Sequence, residues 1–216
     1  MSAERTRSFF DEMAKTYDDD LRALGWNPVS VVREWPFAVA PGERVLDAGC
    51  GTGALLQHLA GAARRLSGFD LSEGMVARAR ARRSLRDADL RVHDAGQPWP
   101  FPDGSFDVVF AFGMLEFVEQ LDRAFDELGR VLAPHGRALV SVEDIVDWEG
   151  EQRPGMELRY GRFPLWRRTL EDVDVRLPPG LDIVTARRQP AYVVLELGFT
   201  TAYHVIELVR RPIGSG

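Results

Sequence analysis

Apolar residues fall in two rhythms along this chain. Short, largely apolar runs at Val45–Ala48, Leu66–Asp70, Leu90–Asp94, Phe106–Phe112, Arg137–Glu143, Leu181–Arg187 and Thr201–Arg210 read as strands. Between several of them the apolar positions take up a helical period. Leu55, Leu56, Leu59, Ala60 and Ala63 share one helix face. Leu121, Ala124, Phe125, Leu128, Val131 and Leu132 share another, which Pro134-His135-Gly136 stops. Ser72 stands where an N-cap is needed for a helix running to about Leu85. Upstream, Phe9, Phe10, Met13, Ala14, Tyr17, Leu21 and Leu24 make Ser8–Leu24 an amphipathic helix or a helix pair. Val29–Val39 reads as a second short helix interrupted at Pro36, and Pro41-Gly42 closes this region. Asp144–Phe163 is polar and irregular, Trp166–Leu177 is expected as a helix, and Leu195–Phe199 as a short connection. Alternating strands and helices define an α/β domain.

The sharpest local signal is Val45–Gly53, V-L-D-A-G-C-G-T-G. A buried strand runs into a turn with glycines at alternate positions, and a helix pattern follows at once. Glycine is required where backbone bends tightly or touches a ligand without a side chain between. Strand, glycine turn and helix form the first half of a nucleotide-binding unit. Gly49, Gly51 and Ala54 satisfy G-x-G-x-x-A, and Asp70 follows Gly49 by 21 residues, which also fits a dinucleotide site. Asp47 argues otherwise. A carboxylate two positions before the first glycine repels a pyrophosphate and suits a ligand with a ribose and a cationic amino-acid end. S-adenosylmethionine (SAM) is such a ligand.

Asp47-Ala48-Gly49-Cys50-Gly51-Thr52-Gly53 closely resembles motif I of the class I SAM-dependent methyltransferases of small-molecule type, the "methyltransferase domain 11" pattern. The resemblance is strong from Val45 to Glu143. It implies a Rossmann-like three-layer sandwich with a seven-stranded, mostly parallel sheet whose last strand is antiparallel. It implies a helical lid over residues 1–40 and a SAM-binding domain over 41–216. It also implies cofactor contacts at Tyr17, Asp47, Ala48, Gly49, Gly51, Gly53, Asp70, Leu71, Met75, Asp94, Ala95 and Phe112. Asp70 is assigned to the ribose, Leu71 and Met75 to the adenine, Asp94 to its amino group, and backbone from Phe112 to Leu115 to the methionine part. F-D-E-M-A-K-T-Y-D resembles the family's lid, with Tyr17 near the cofactor. Pro100–Asp107 resembles its P-F-x-D-x-S-F-D entry to the fourth strand. One departure is Phe117, where many relatives carry histidine, which places a histidine-based mechanism in doubt. His93 and His135 are read as structural and exposed, respectively. An insertion at about 144–165 is expected to cap the substrate pocket, making Arg159, Tyr160, Arg162 and Trp166 candidates for substrate contact. Glu116 either lines the acceptor side or begins the next helix.

Composition narrows the picture. With 216 residues the chain suits one sizeable α/β domain with a small cap. No run approaches the ~20 apolar residues of a membrane span, and Met1–Phe10 has no apolar signal core, so a cytoplasmic location and no membrane partner are expected. Cys50, the single cysteine, excludes an intramolecular disulfide and a cysteine-rich zinc site. A net charge of −6 argues against a nucleic-acid substrate, and the Arg78–Arg83 cluster reads as a solvated helix face.

Methyl transfer from a sulfonium is an in-line displacement with an activated leaving group, so no metal is expected. Glu116, Glu143, Asp144 and Tyr160 all stand where a base for the acceptor would sit, and no catalytic residue is assigned. The expected activity is methylation of a small molecule on oxygen, nitrogen or carbon, yielding S-adenosylhomocysteine (SAH), by a monomer or homodimer. The alternatives are a protein methyltransferase, or a SAM-binding protein of the same fold acting as a cyclase, decarboxylase or binding module.

Overall fold

A computed structural model describes residues 2–24, 27–146, 155–159, 163–194 and 199–212. The N-terminal segment is a helix pair, α1 (Ser2–Met13) and α2 (Tyr17–Leu24), and α3 (Pro28–Glu34) follows. Asn27 caps α3 through Val29 N at 2.9 Å, with Pro28 pre-set in the first turn. The sheet strands are β1 (Arg44–Ala48), β2 (Arg65–Asp70), β3 (Asp89–Val92), β4 (Phe106–Ala111), β5 (Leu132–Val146), β8 (Leu181–Val194) and β9 (Phe199–Arg210). A separate hairpin holds β6 (Gly155–Arg159) and β7 (Phe163–Arg167). The helices α4 (Ala54–Leu59), α5 (Glu73–Arg80), α6 (Leu121–Val131) and α7 (Leu170–Asp174) complete the described elements.

The seven-stranded sheet has the order β3-β2-β1-β4-β5-β9-β8. The first five strands are parallel, and β9 runs antiparallel to both neighbours. One face packs Val109, Ala111, Val140, Val142 and Ile206 on the α6 stripe Leu121, Ala124, Phe125, Leu128 and Val131. The other packs Val45, Val108, Phe110, Leu139 and Val205 on Val31, Val32 and Trp35 and on Leu55 and Leu59 of α4. This is the expected three-layer architecture.

Several expected boundaries change. The first helix after the glycine turn ends at Leu59. Ala60 is extended and Gly61 takes φ +92°, so Ala63 packs against the core from a loop. Ser72 caps α5 as expected, through Met75 N at 3.0 Å, but the helix stops at Arg80 and Arg83–Leu85 forms a separate 3-10 turn. β5 begins at Leu132, not Arg137, and His135 sits exposed in a left-handed turn at φ +64°. Residues 144–163 are not irregular throughout. Asp144–Val146 continue β5 against β9, and Gly155–Arg159 pair with Phe163–Arg167. Trp166 and Arg167 are strand, so the helix expected from Trp166 shrinks to α7. It cannot start before Thr169, whose side chain and that of Asp172 form a capping box. β8 continues past Arg187 to Val194 and accommodates Pro190 because it lies at the sheet edge.

Candidate functional site

The cleft opens at the carboxyl ends of β1, β2, β3 and β4. β1 ends in Gly49, φ +75°, whose N–H donates to Phe69 O at 2.8 Å. A Cβ on Gly49 would stand 2.6 Å from Cβ and Cγ of Met114, so only glycine lets the two crossings touch. Gly51, φ +50°, lies under Tyr17 of the lid, whose ring edge would be 3.8 Å from a Cβ there.

Two carboxylates face this turn. Asp70 receives Gly51 N on Oδ2 and Ser72 N on Oδ1, each at 2.9 Å. Those bonds hold the carboxyl in one orientation and leave lone pairs for a diol. Burial nonetheless raises its pKa to about 6. Asp47 is 4% exposed. Burial, then the charge of Asp70, pushes it up to about 8, with no hydrogen bond from a described residue to offset them. A buried carboxylate in this condition favours a cationic partner.

Two connected lobes line up along the turn, of about 240 and 80 Å³. Tyr17, Gly49, Gly51 and Phe112 line both lobes; Asp47 lines the larger; Asp70, Leu71, Met75, Asp94 and Ala95 line the smaller. Ala48 and Gly53, expected as contacts, line neither lobe. Ala48 is fully buried in the core, and Gly53, φ +78°, starts α4 with Ala79 and Leu85 at its back. Asp94 Oδ1 accepts from Gly96 N at 2.9 Å. His93 Nε2 bonds Pro98 O and its ring stands edge-on to Phe69, while the residue also lines the smaller lobe. Glu116 does not begin α6. It lies in a separate turn, Leu115–Phe117, 1% exposed. Arg159 lies on β6, while Tyr160 and Arg162 fall outside the described residues. Trp166 pairs with Met156 in the hairpin.

The N-terminal helix pair is fastened by residues that local patterns do not flag. Asp11 Oδ1 accepts from Ser72 Oγ at 2.5 Å and Gly74 N at 2.9 Å, at the start of α5. Arg7 Nε reaches Leu71 O at 3.3 Å. Asp18 takes Arg82 Nη2 at 2.6 Å, and Arg82 Nε donates to Thr52 O at 2.6 Å. Thr6, Phe10, Met114, Phe117 and Val118 give the smaller lobe an apolar wall, with Phe10 and Phe117 edge to face at 5.2 Å.

A parallel sheet with an inserted antiparallel strand, a glycine turn and two acids placed for a diol and a cation define a SAM-binding fold, and the residues present fit that cofactor. Residues 46–140 match the family described as a methyltransferase domain. A demethylmenaquinone methyltransferase of Symbiobacterium thermophilum is 30% identical over 185 residues, 78% of this chain and 68% of that protein. One of Clavibacter sepedonicus is 38% identical over 142 residues, 62% of this chain, and the chain spans 56% of its length. A SAM-dependent methyltransferase structure from Mesorhizobium loti shares the fold at a TM-score of 0.67 and 23% identity, covering 84% of this chain and 96% of that one. The chain belongs to the class I SAM-dependent methyltransferases.

Proposed function

We propose that this protein methylates a small, planar, mainly apolar acceptor carrying an ionisable hydroxyl, of the quinol class. The observation that carries this reading is the larger lobe beside Asp47, where Tyr17, Leu21 and Phe112 offer apolar faces outside the lobe assigned to the adenine. Such a lining accepts a flat ring and excludes water from the reacting centre. The names of the two relatives, both demethylmenaquinone methyltransferases, point the same way.

In this reading SAM supplies the methyl group. Asp70 receives the ribose hydroxyls, Asp94 the adenine amino group, Leu71 and Met75 flank the base, and Asp47 receives the ammonium end. Tyr17 closes over Gly51, and the chain's main contribution is to hold the acceptor in line with the methyl–sulfur axis. Glu116 and the residue 144–165 insertion, with Arg159 and Tyr160, belong to the acceptor side. A cytoplasmic location, no nucleic-acid partner and a monomer or homodimer complete the reading, supported by the net charge of −6. Among the described residues no helix is long and apolar enough to cross a membrane.

The test is SAH release from SAM with 1,4-naphthohydroquinone, against NAD as a binding control. Turnover supports the reading. SAH binding without turnover of any hydroxylated ring overturns the acceptor class and leaves the family intact.

A further inference from the structure

Cofactor binding makes no use of a buried acid and a phenol that meet beyond the glycine turn. Tyr203 of β9 donates its hydroxyl to Glu116 Oε1 at 2.9 Å, with the residues 4% and 1% exposed. Glu116 lies in the turn Leu115–Phe117 that comes after β4, and its neighbours Met114 and Phe117 line the smaller lobe. Gly113 lines both lobes, and a Cβ built on it would stand 3.9 Å from Glu116 Oε1. The missing side chain therefore leaves the carboxylate adjoining the cleft. Gly113 N donates to Ser141 Oγ at 3.0 Å. Burying a carboxylate is costly, and acids held in such places recur at working sites.

Among the described residues, charged groups near the pair come from β5, β8 and β9, and Arg187 of β8 stands over the Trp35 ring at 4.6 Å. Glu143, also 1% exposed, lies opposite Tyr203 in the β5–β9 register. Glu207, on the same face of β9, accepts Trp35 Nε1 at 3.0 Å. The Arg168 guanidinium, near the same turn, is directed at the carbonyls of Val118 and Glu119. Asp144 and His204 belong to the opposite face of the sheet by strand alternation.

We propose that Tyr203 and Glu116 form the proton-accepting pair for the methyl acceptor. This rests on the reading above that the acceptor bears an ionisable hydroxyl. As that hydroxyl gives its proton to Tyr203 Oη, Tyr203 passes its own to Glu116 Oε1. The electron-rich ring carbon forms a bond to the methyl carbon, the methyl–sulfur bond breaks, and its electron pair stays on sulfur. The ring then loses the hydrogen from the methylated carbon to water and recovers its hydroxyl proton from the pair. The net products are methylated acceptor, SAH and one proton. On an oxygen acceptor the same pair takes the hydroxyl proton as the O–C bond forms.

The experiment compares Glu116→Gln and Tyr203→Phe with the parent chain. The expected result is a kcat lower by about 100-fold or more in both, SAH affinity within about twofold, and loss of the acid limb of the kcat–pH profile. A second arm needs no turnover: 4-nitrophenol is titrated into the SAH-loaded protein and phenolate absorbance is read. The parent chain ionises the probe below its solution pKa, and E116Q does not. Turnover of 1,4-naphthohydroquinone at parental rate by E116Q overturns the pair and leaves the acceptor reading standing. Ionised probe without turnover of any quinol overturns the acceptor reading alone. No ionisation by the parent chain, or equal loss of SAH binding in both variants, overturns the pair.

Discussion

Thr52 Oγ1 donates to Asp18 Oδ1 at 2.5 Å, so helix α2 is bonded directly to the glycine turn. The second oxygen of Asp18 holds Arg82, and both side chains are largely buried in this contact. Cofactor exchange must break these bonds. Asp18→Ala is expected to raise the SAH dissociation rate about tenfold, since hydrogen bonds to charged groups contribute roughly 1.5–3 kcal/mol. Stopped-flow displacement of SAH checks this, and an unchanged rate would mean that the cofactor leaves by another route.

Asp47 makes a linkage prediction whose sign is unusual for a carboxylate. Its pKa is raised to about 8 in the ligand-free fold, against roughly 3.9 in the unfolded chain. The folded state then holds the proton that the unfolded state has lost, so stability falls as pH rises from about 4 to 8. An ammonium bound beside Asp47 reverses this preference. SAM affinity is expected to rise over that window, with proton release on binding. Calorimetry at pH 6.5 in buffers of different ionisation enthalpy reads the proton, and Asp47→Asn should remove most of it.

The glycines and the acids of the turn should fail differently. Gly53→Ala places a Cβ 2.8 Å from Leu85 Cδ1 at a left-handed position. We expect a loss of about 2–4 kcal/mol of stability, from backbone strain and overpacking together. Asp70→Asn should fold and bind SAH about 10- to 100-fold more weakly. Denaturant melts paired with SAH titrations separate the two. A parental SAH affinity in the Asp70 variant would remove Asp70 from the site.

Phe10 of the N-terminal helix pair and Phe117 meet edge to face. Truncating either to alanine opens the wall of the smaller lobe without touching the carboxylates. The expected result is a SAM KM about tenfold higher with kcat within threefold, because the contact with the base is present before and during transfer. A kcat loss with unchanged KM would assign the pair to the transition state instead.

The parallel half of the sheet was legible because each of its strands meets a local marker. Asp47 and Gly49 end β1, Asp70 ends β2 and Ser72 caps the next helix. What escaped depends on partners distant in sequence. Asp11 bonds Ser72 across 61 residues, and Asp18 bonds Arg82 across 64, so no window around either acid reveals the lid contact. The β6–β7 hairpin hides in a polar stretch where neither helical nor alternating apolar period is strong. β5 and β8 outrun their apolar runs because β9 supplies hydrogen-bond partners far past them. For Glu116 the sequence leaves two readings, the acceptor side or a helix start, and only the fold brings Tyr203 to it, 87 residues on.

The position of β9 governs the order in which this chain can be completed during synthesis. It lies between β5 and β8, yet it follows both of them in the chain. Until residues 199–210 emerge, β5 presents a bare edge and β8 has nothing in the sheet to pair with. The nucleotide-binding half can assemble early, but Tyr203 and the rest of β9 join it only later. A ribosome-bound chain therefore carries the bare edge of β5, open to other chains, from the completion of β5 until β9 emerges.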